Sequence, residues 1–242
     1  MAIKFLRSMK KLFVVLGILF CAGLSAQTNA ELKAHYEKYY QLMKNHGDVQ
    51  GVINALTHLE ALNPNQATRD TLGYLYVTEG RFMQALNVVG VDKNATDSDI
   101  NVEVKALALK NLNQIQMAVE QYEILFGRTP NPQLAYEVAD LMAQTDNLGG
   151  AKAKIDYGLS NVTDEMKRTF YESQQPYQTS LKAAFLYLKG IVLFKENPKS
   201  NLDQSLKLIN EALTIDPNFN LAKLSREALE NQKAQQAQQG QN

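Results

Sequence analysis

A single fixed period recurs through the middle of this chain, and no other feature restricts its fold so strongly. Small residues stand at Ala85, Ala118 and Ala151, evenly spaced, with Val52 in the same phase one period earlier. A second series, Tyr40, Gly73, Ala106 and Ala139, runs ahead of the first at a constant offset. Close behind the second, a third series is apolar throughout: Met43, Tyr76, Leu109 and Met142. Pro64 and Pro130 fall two periods apart, where a unit should end. Two helices joined by a tight turn approach closely only where small side chains face each other, and larger apolar residues one turn away fill the remaining gap. Proline after the second helix stops it and redirects the chain. One such helical hairpin cannot bury its own apolar face, so the period predicts a stack of them.

The composition favours the same reading. An apolar content of 45% is enough for a substantial core. Glycine (13) and proline (6) are sparse beside abundant Ala, Leu, Gln, Asn, Glu and Lys, which favours helix over strand. An ordinary helical bundle is the alternative, and three independent series in one period argue against it. Ankyrin repeats share the period, but their Thr-Pro-Leu-His turn is absent.

Leu72, Gly73, Tyr76, Gly80 and Ala85 match, position for position, a Leu-Gly-x-x-Tyr first helix, a turn glycine and a second-helix alanine. In this the chain resembles the tetratricopeptide-repeat (TPR) family, of an exported bacterial type. The resemblance implies an all-α, right-handed superhelical solenoid of about five helix-turn-helix units, near 33–64, 66–97, 99–130, 132–163 and 183–217. The third and fourth have Ala in place of the first-helix Gly. The fifth carries Gly190, Leu193, Ile209, Ala212 and Pro217, with a longer turn around Pro198. The second lacks the closing Pro and has Asp92 where a small residue is usual, so its second helix is expected to end near Gly90. Residues 160–179 fit no unit; Met166, Phe170 and Tyr171 stand at helical spacing and predict an extra short helix before Pro176. Residues 218–234, with Leu221, Leu224, Ala228 and Leu229 towards one face, suit the cap that closes a solenoid. The Gln-rich residues 235–242 are expected to form a disordered tail.

Ahead of the repeats, Lys4, Arg7, Lys10 and Lys11 precede an apolar run from Leu12 to Gly23, followed by small Ser25 and Ala26. That is the layout of a signal peptide over residues 1–26, with cleavage near Ala26, and it predicts a periplasmic or secreted protein. The run is shorter than the roughly 20 residues a membrane-spanning helix needs, so no stable span is expected after leader removal. Met9 is a second possible start. Lipid anchoring at Cys21 is disfavoured by bulky Phe20, and Cys21 is the single cysteine, so the mature chain would hold no disulfide or thiol nucleophile. Leader removal takes four of the 25 basic residues and none of the 25 acidic ones, leaving a net charge of −4. That argues against a nucleic-acid partner, which draws on clustered Lys and Arg. The longest basic pairing left, Lys167 and Arg168, reads as a solvated helix face.

Catalytic and cofactor chemistry finds no foothold. His35, His46 and His58 lack the spacing that puts two metal ligands on one helix face, and there is no HExxH motif. Gly149-Gly150-Ala151-Lys152 lacks the spacing of a phosphate loop and reads as a turn between helices. Ser160, Ser173 and Ser180 have no nucleophile elbow and no histidine nearby in the sequence. No catalytic residue, metal or cofactor is expected.

What the TPR resemblance implies instead is a concave groove lined by the first helix of each unit. Carried over by phase, its lining is Asp70, Tyr74, Glu103, Leu107, Lys110, Asn111, Tyr136, Asp140, Tyr187 and Phe194. Three of these are tyrosines, which combine a large apolar area with one hydroxyl and suit contact with a peptide or helix. Packing between neighbouring units is the other role open to them. The clamp for a C-terminal carboxylate in this family needs Lys and Asn at positions where Glu37 and Gln41, Asp70 and Tyr74, and Glu103 and Leu107 stand, so a free acidic tail is not the expected ligand. The expected function is a non-catalytic protein- or peptide-binding scaffold of the cell envelope. The alternative is an accessory domain capturing carbohydrate or another small envelope ligand on exposed tyrosines.

Overall fold

The computed structural model describes residues 28–239. The expected leader with Cys21, and the last three residues of the expected tail, lie outside the described residues. Within them the chain forms eleven α-helices and one two-stranded sheet. It divides into two compact units, Met1–Leu72 and Gly73–Asn242.

In the first unit, α1 (Asn29–His46) and α2 (Val49–Leu62) pack on each other. Thr28 caps α1 in a capping box with Glu31, satisfying amides that the first turn leaves without partners. Gly47 ends α1 in the left-handed conformation (φ 70°), and Asp48 caps α2 by accepting from the Gly51 amide at 2.9 Å. Val52, Ile53, Ala55 and Leu56 form the buried face of α2, and Tyr36 stacks on His58 at 4.1 Å between ring centres.

The helix α3 (Gln66–Thr78) carries the chain into the second unit. There follow α4 (Phe82–Val89), α5 (Asp99–Asn111), α6 (Ile115–Arg128), α7 (Pro132–Gln144) and α8 (Leu148–Asn161). Then come strands β1 (Lys167–Phe170) and β2 (Tyr177–Ser180), and helices α9 (Leu181–Glu196), α10 (Leu202–Ile215) and α11 (Asn220–Gln239). Each helix from α4 to α10 packs on its successor in the way a stack of hairpins requires, except that the β-hairpin stands between α8 and α9, which touch each other directly.

The period is written into the backbone as well as the core. Gly47, Gly80, Asn113 and Asp146 all adopt positive φ (70°, 70°, 60° and 57°), and each stands one period after the last. At each of these turns the following amide bonds back to the carbonyl of Met43, Tyr76, Leu109 or Met142, at 2.7–3.0 Å. This is the Schellman closure of a helix, which needs one left-handed residue, a role that glycine fills without strain and Asn or Asp fills next best. The small-residue series is buried: Ala85, Ala106, Ala118, Ala139 and Ala151 are 0% exposed. A Cβ on Gly73 would come within 2.6 Å of Val89, and one on Gly158 would overlap the ring of Phe185.

Two expectations are corrected. Residues 160–179 do not hold an extra helix: α8 ends at Asn161, and β1 and β2 pair antiparallel from Lys167 opposite Ser180 to Phe170 opposite Tyr177. The spacing of Met166, Phe170 and Tyr171 is compatible with a helix, but Thr169, Phe170, Tyr177 and Thr179 are β-branched or aromatic, and Pro176 disfavours helix in the residue before it. A hairpin this short is marginal alone; here it is tied to its neighbours. Gln133 donates to the Lys167 carbonyl at 2.8 Å, the Leu181 amide to the Met166 carbonyl at 2.9 Å, and Thr179 to the Asp216 carboxylate at 2.5 Å. Phe170 packs 5.1 Å from Phe219, which is fully buried. The second correction concerns the tail: α11 runs on through Gln239, so residues 235–239 continue the cap rather than leave it. Ala, Gln, Lys and Glu are good helix formers, and nothing in this stretch breaks the last turns.

Candidate functional site

The first helices α7 and α9 meet the β-hairpin, α5 lies beside α7's Glu137 through Lys110, and around this junction lie two open cavities. Strand β1 presents Arg168 and Phe170 at alternate positions, hence towards one side. Both reach Tyr136 on α7: the Arg168 guanidinium carbon lies 4.3 Å from the ring centre, and the Phe170 ring 6.2 Å, edge-on. Arg168 also donates to Glu137 at 2.8 Å, and the other oxygen of Glu137 accepts from Lys110 on α5. The expected solvated helix face at Arg168 is thereby corrected: this side chain is 19% exposed and ties the hairpin to α7, because a strand in this place points it inward.

Arg168 lines both cavities. One, of about 360 Å³, lies between α7, α9 and the hairpin, with Tyr136, Asp140, Phe170, Tyr171, Tyr187 and Lys195 among its walls. The other, of about 460 Å³, lies between α5, α6 and α7, with Glu103, Leu107, Lys110, Tyr122 and Glu137 among its walls. Tyr136 (2% exposed) and Tyr187 (8%) therefore take both roles that were open to them, packed in the stack while giving one side to a cavity.

The electrostatics of neighbouring carboxylates diverge. Burial works against the charge on Glu137, but Lys110 and Arg168 outweigh it and hold its carboxyl below the usual range. Asp140, one turn on, goes the other way: burial, then the charge of Glu137, push its carboxyl up, and Arg168 and Lys110 only partly counter them. Burial also raises the phenols of Tyr136 and Tyr187, so both remain neutral.

Of the residues carried over by phase, Glu103, Leu107, Lys110, Tyr136, Asp140 and Tyr187 line these cavities. The others do not. Asn111 turns back to the Leu107 carbonyl at 2.8 Å, and Phe194 packs half-buried against the core. Asp70, in the first unit, is buried and accepts from Gln66 at 2.7 Å, and Tyr74 is exposed on the surface of the second. Sequence reasoning missed Glu137, Arg168, Phe170, Tyr171 and Glu172. The period could not reach the last four, which belong to the insertion, and Glu137 lies one residue outside the carried-over positions. Among the described residues no group of three or more His, Cys, Asp or Glu side chains could hold a metal ion, and no helix is long and apolar enough to cross a membrane.

Neither protein-family models nor curated protein sequences yield a match to this chain. Solved structures do. A tetratricopeptide repeat protein from Parabacteroides merdae ATCC 43184 superposes with a TM-score of 0.59 at 18% identity, over 86% of this chain and 76% of its own. This is the tetratricopeptide-repeat fold. YrrB, a TPR protein with an unusual peptide-binding site, matches with a TM-score of 0.61 at 12% identity, over 79% of this chain and 90% of its own. MamA protein matches with a TM-score of 0.57 at 16% identity, over 78% and 93%. In TPR terms, α5, α7 and α9 are the first helices of successive repeats, and the β-hairpin is an insertion between the fourth and fifth.

Proposed function

We propose that this chain is a non-catalytic scaffold that binds a protein or peptide segment along the face formed by α5, α7, α9 and the β-hairpin, and that it works in the cell envelope after export. The observation that carries the reading is the run of two adjoining cavities joined at Arg168, walled by rigid helices and rich in tyrosine. Groups held by packing and by ion pairs lose little freedom on binding, which favours affinity. TPR folds are commonly used to hold peptides, and one structural neighbour is described by its peptide-binding site. The leader-like layout of residues 4–26 supports export.

The test is site-specific photo-crosslinking in cells that make the protein. A photoreactive residue at Leu107, in the cavity wall, is expected to trap a discrete protein partner from the envelope fraction; one at exposed Ala153 on α8 serves as the control. No adduct at Leu107, or equal yields at both positions, would overturn the reading.

A further inference from the structure

Within the smaller cavity, the charges are unequally matched. Arg168 is engaged by Glu137 at 2.8 Å. Lys195 donates to the Ala143 carbonyl at 2.6 Å and to Asp146 at 3.0 Å. The Glu172 carboxylate accepts from the Tyr177 hydroxyl. Asp140 differs from all three. Its carboxylate accepts from Gln144 at 3.0 Å, and among the described residues no Lys, Arg or His pairs with it within 4.0 Å. A half-buried carboxylate without a cationic partner is unfavourable in an isolated chain, and a partner's cation would relieve it.

The walls around Asp140 fit the rest of such a side chain. Tyr136, Phe170, Tyr171 and Tyr187 give aromatic surface, and Ile191 and Leu221 give aliphatic surface. Aromatic faces attract cations, and the methylene stems of Lys and Arg lie well along apolar surface while the charged head seeks a polar group. A volume of about 360 Å³ is at the small end of ligand sites, room for one long side chain and not for a folded element.

We propose that this cavity receives a lysine or arginine side chain of the partner segment, its charged head against Asp140 and its stem against the aromatic walls. The inference rests on the groove-binding function and names the chemistry of its ligand. It gives the groove a preference for basic segments, the reverse of a clamp for acidic tails.

The probes are four capped peptides identical but for one central residue, Lys, Arg, norleucine or Glu, titrated into the isotopically labelled chain and followed by NMR. The Lys and Arg peptides are expected to shift the backbone amides of Asp140, Thr169 and Tyr187 and to bind about tenfold more tightly than the norleucine peptide, as a charge-assisted bond implies. In Asp140→Asn, which keeps an acceptor for Gln144, that preference is expected to vanish. Should this variant not fold, the unmodified chain is titrated at falling pH, where lysine keeps its charge. Glu137, Tyr136, Tyr187, Tyr171 and Glu172 surround Asp140, with the cations Arg168, Lys195 and Lys110 opposing; the preference is expected to fade as Asp140 takes up a proton. Equal binding of Lys and norleucine peptides, or a preference that survives both Asp140→Asn and acid, would overturn the inference. If no peptide shifts the site while Leu107 still crosslinks to a partner, only this inference fails; if neither occurs, the groove-binding function fails with it.

Discussion

The guanidinium of Arg168 lies across the ring of Tyr136, 4.3 Å from its centre, so a strand inserted between two repeats is seated on the first helix of an earlier one. Because Arg168 also donates to Glu137, and Glu137 accepts from Lys110, α5, α7 and the β-hairpin are held by one short chain of charges. The two cavities that Arg168 lines are therefore products of the insertion as much as of the repeats.

Replacing Arg168 with Met should cost about 2–3 kcal/mol, because it strips one of two cations from a carboxylate that is 14% exposed. The loss should be smaller when Glu137→Gln is already present, since the charge left without its partner is then gone. Denaturant unfolding of both single variants and the double variant checks this. Fully additive losses would mean that the two side chains do not act on each other.

The pH dependence follows from the opposite shifts of Glu137 and Asp140. The folded state holds the Glu137 carboxyl below its ordinary value, so its contribution is present above the unfolded pKa and is lost as pH falls through the folded one. Asp140 is raised, so its protonated form is favoured on folding and it subtracts stability as pH rises from the unfolded pKa through the folded one. Asp140→Asn is therefore expected to be more stable than the unmodified chain at pH 7, with the advantage shrinking as pH falls through the raised folded pKa and gone below about pH 4, the ordinary range of this carboxyl. Unfolding midpoints measured across that range decide the matter; an advantage that does not change with pH would exclude a charge effect.

Gly158→Ala should destabilise despite the better helix propensity of alanine. The propensity gain is about 1 kcal/mol, whereas a methyl group driven into the buried ring of Phe185 should cost about 1–3 kcal/mol. Adding Phe185→Leu to Gly158→Ala should recover part of the loss, a rescue that calorimetry can read and that a purely local helix effect would not produce.

Lys105 is a buried cation that stands in for the regular helix missing after α4. Its ammonium donates to the Asp92 carbonyl at 2.9 Å and pairs with Asp97, so it holds both ends of the loop between α4 and α5. Lys105→Met leaves the Asp97 carboxylate, 15% exposed, without its cation, and should cost about 3 kcal/mol. Hydrogen exchange should quicken in residues 92–98 first; unchanged exchange there would show that the loop is held by something else.

The repeat was legible because the same steric demand returns once in every period. Ala85, Ala118 and Ala151 are small since two helices meet there, and Gly80, Asn113 and Asp146 can take positive φ where each first helix must close. Both requirements act over a few residues, so each unit carries its own signature. Of the positions that the TPR resemblance assigned by phase, Glu103, Leu107, Lys110, Tyr136, Asp140 and Tyr187 stand on cavity walls. Asn111 and Phe194 stand elsewhere, their side chains turned to a nearby carbonyl and to the core. The insertion carried no period, and the spacing of Met166, Phe170 and Tyr171 was compatible with a helix. Tertiary structure decided for strands, since Phe170 finds Phe219, and Arg168 finds Tyr136 and Glu137, only across whole helices of intervening chain. Local sterics repeat and can be read along the sequence, whereas charges and rings that meet across such distances declare themselves only once the chain has folded.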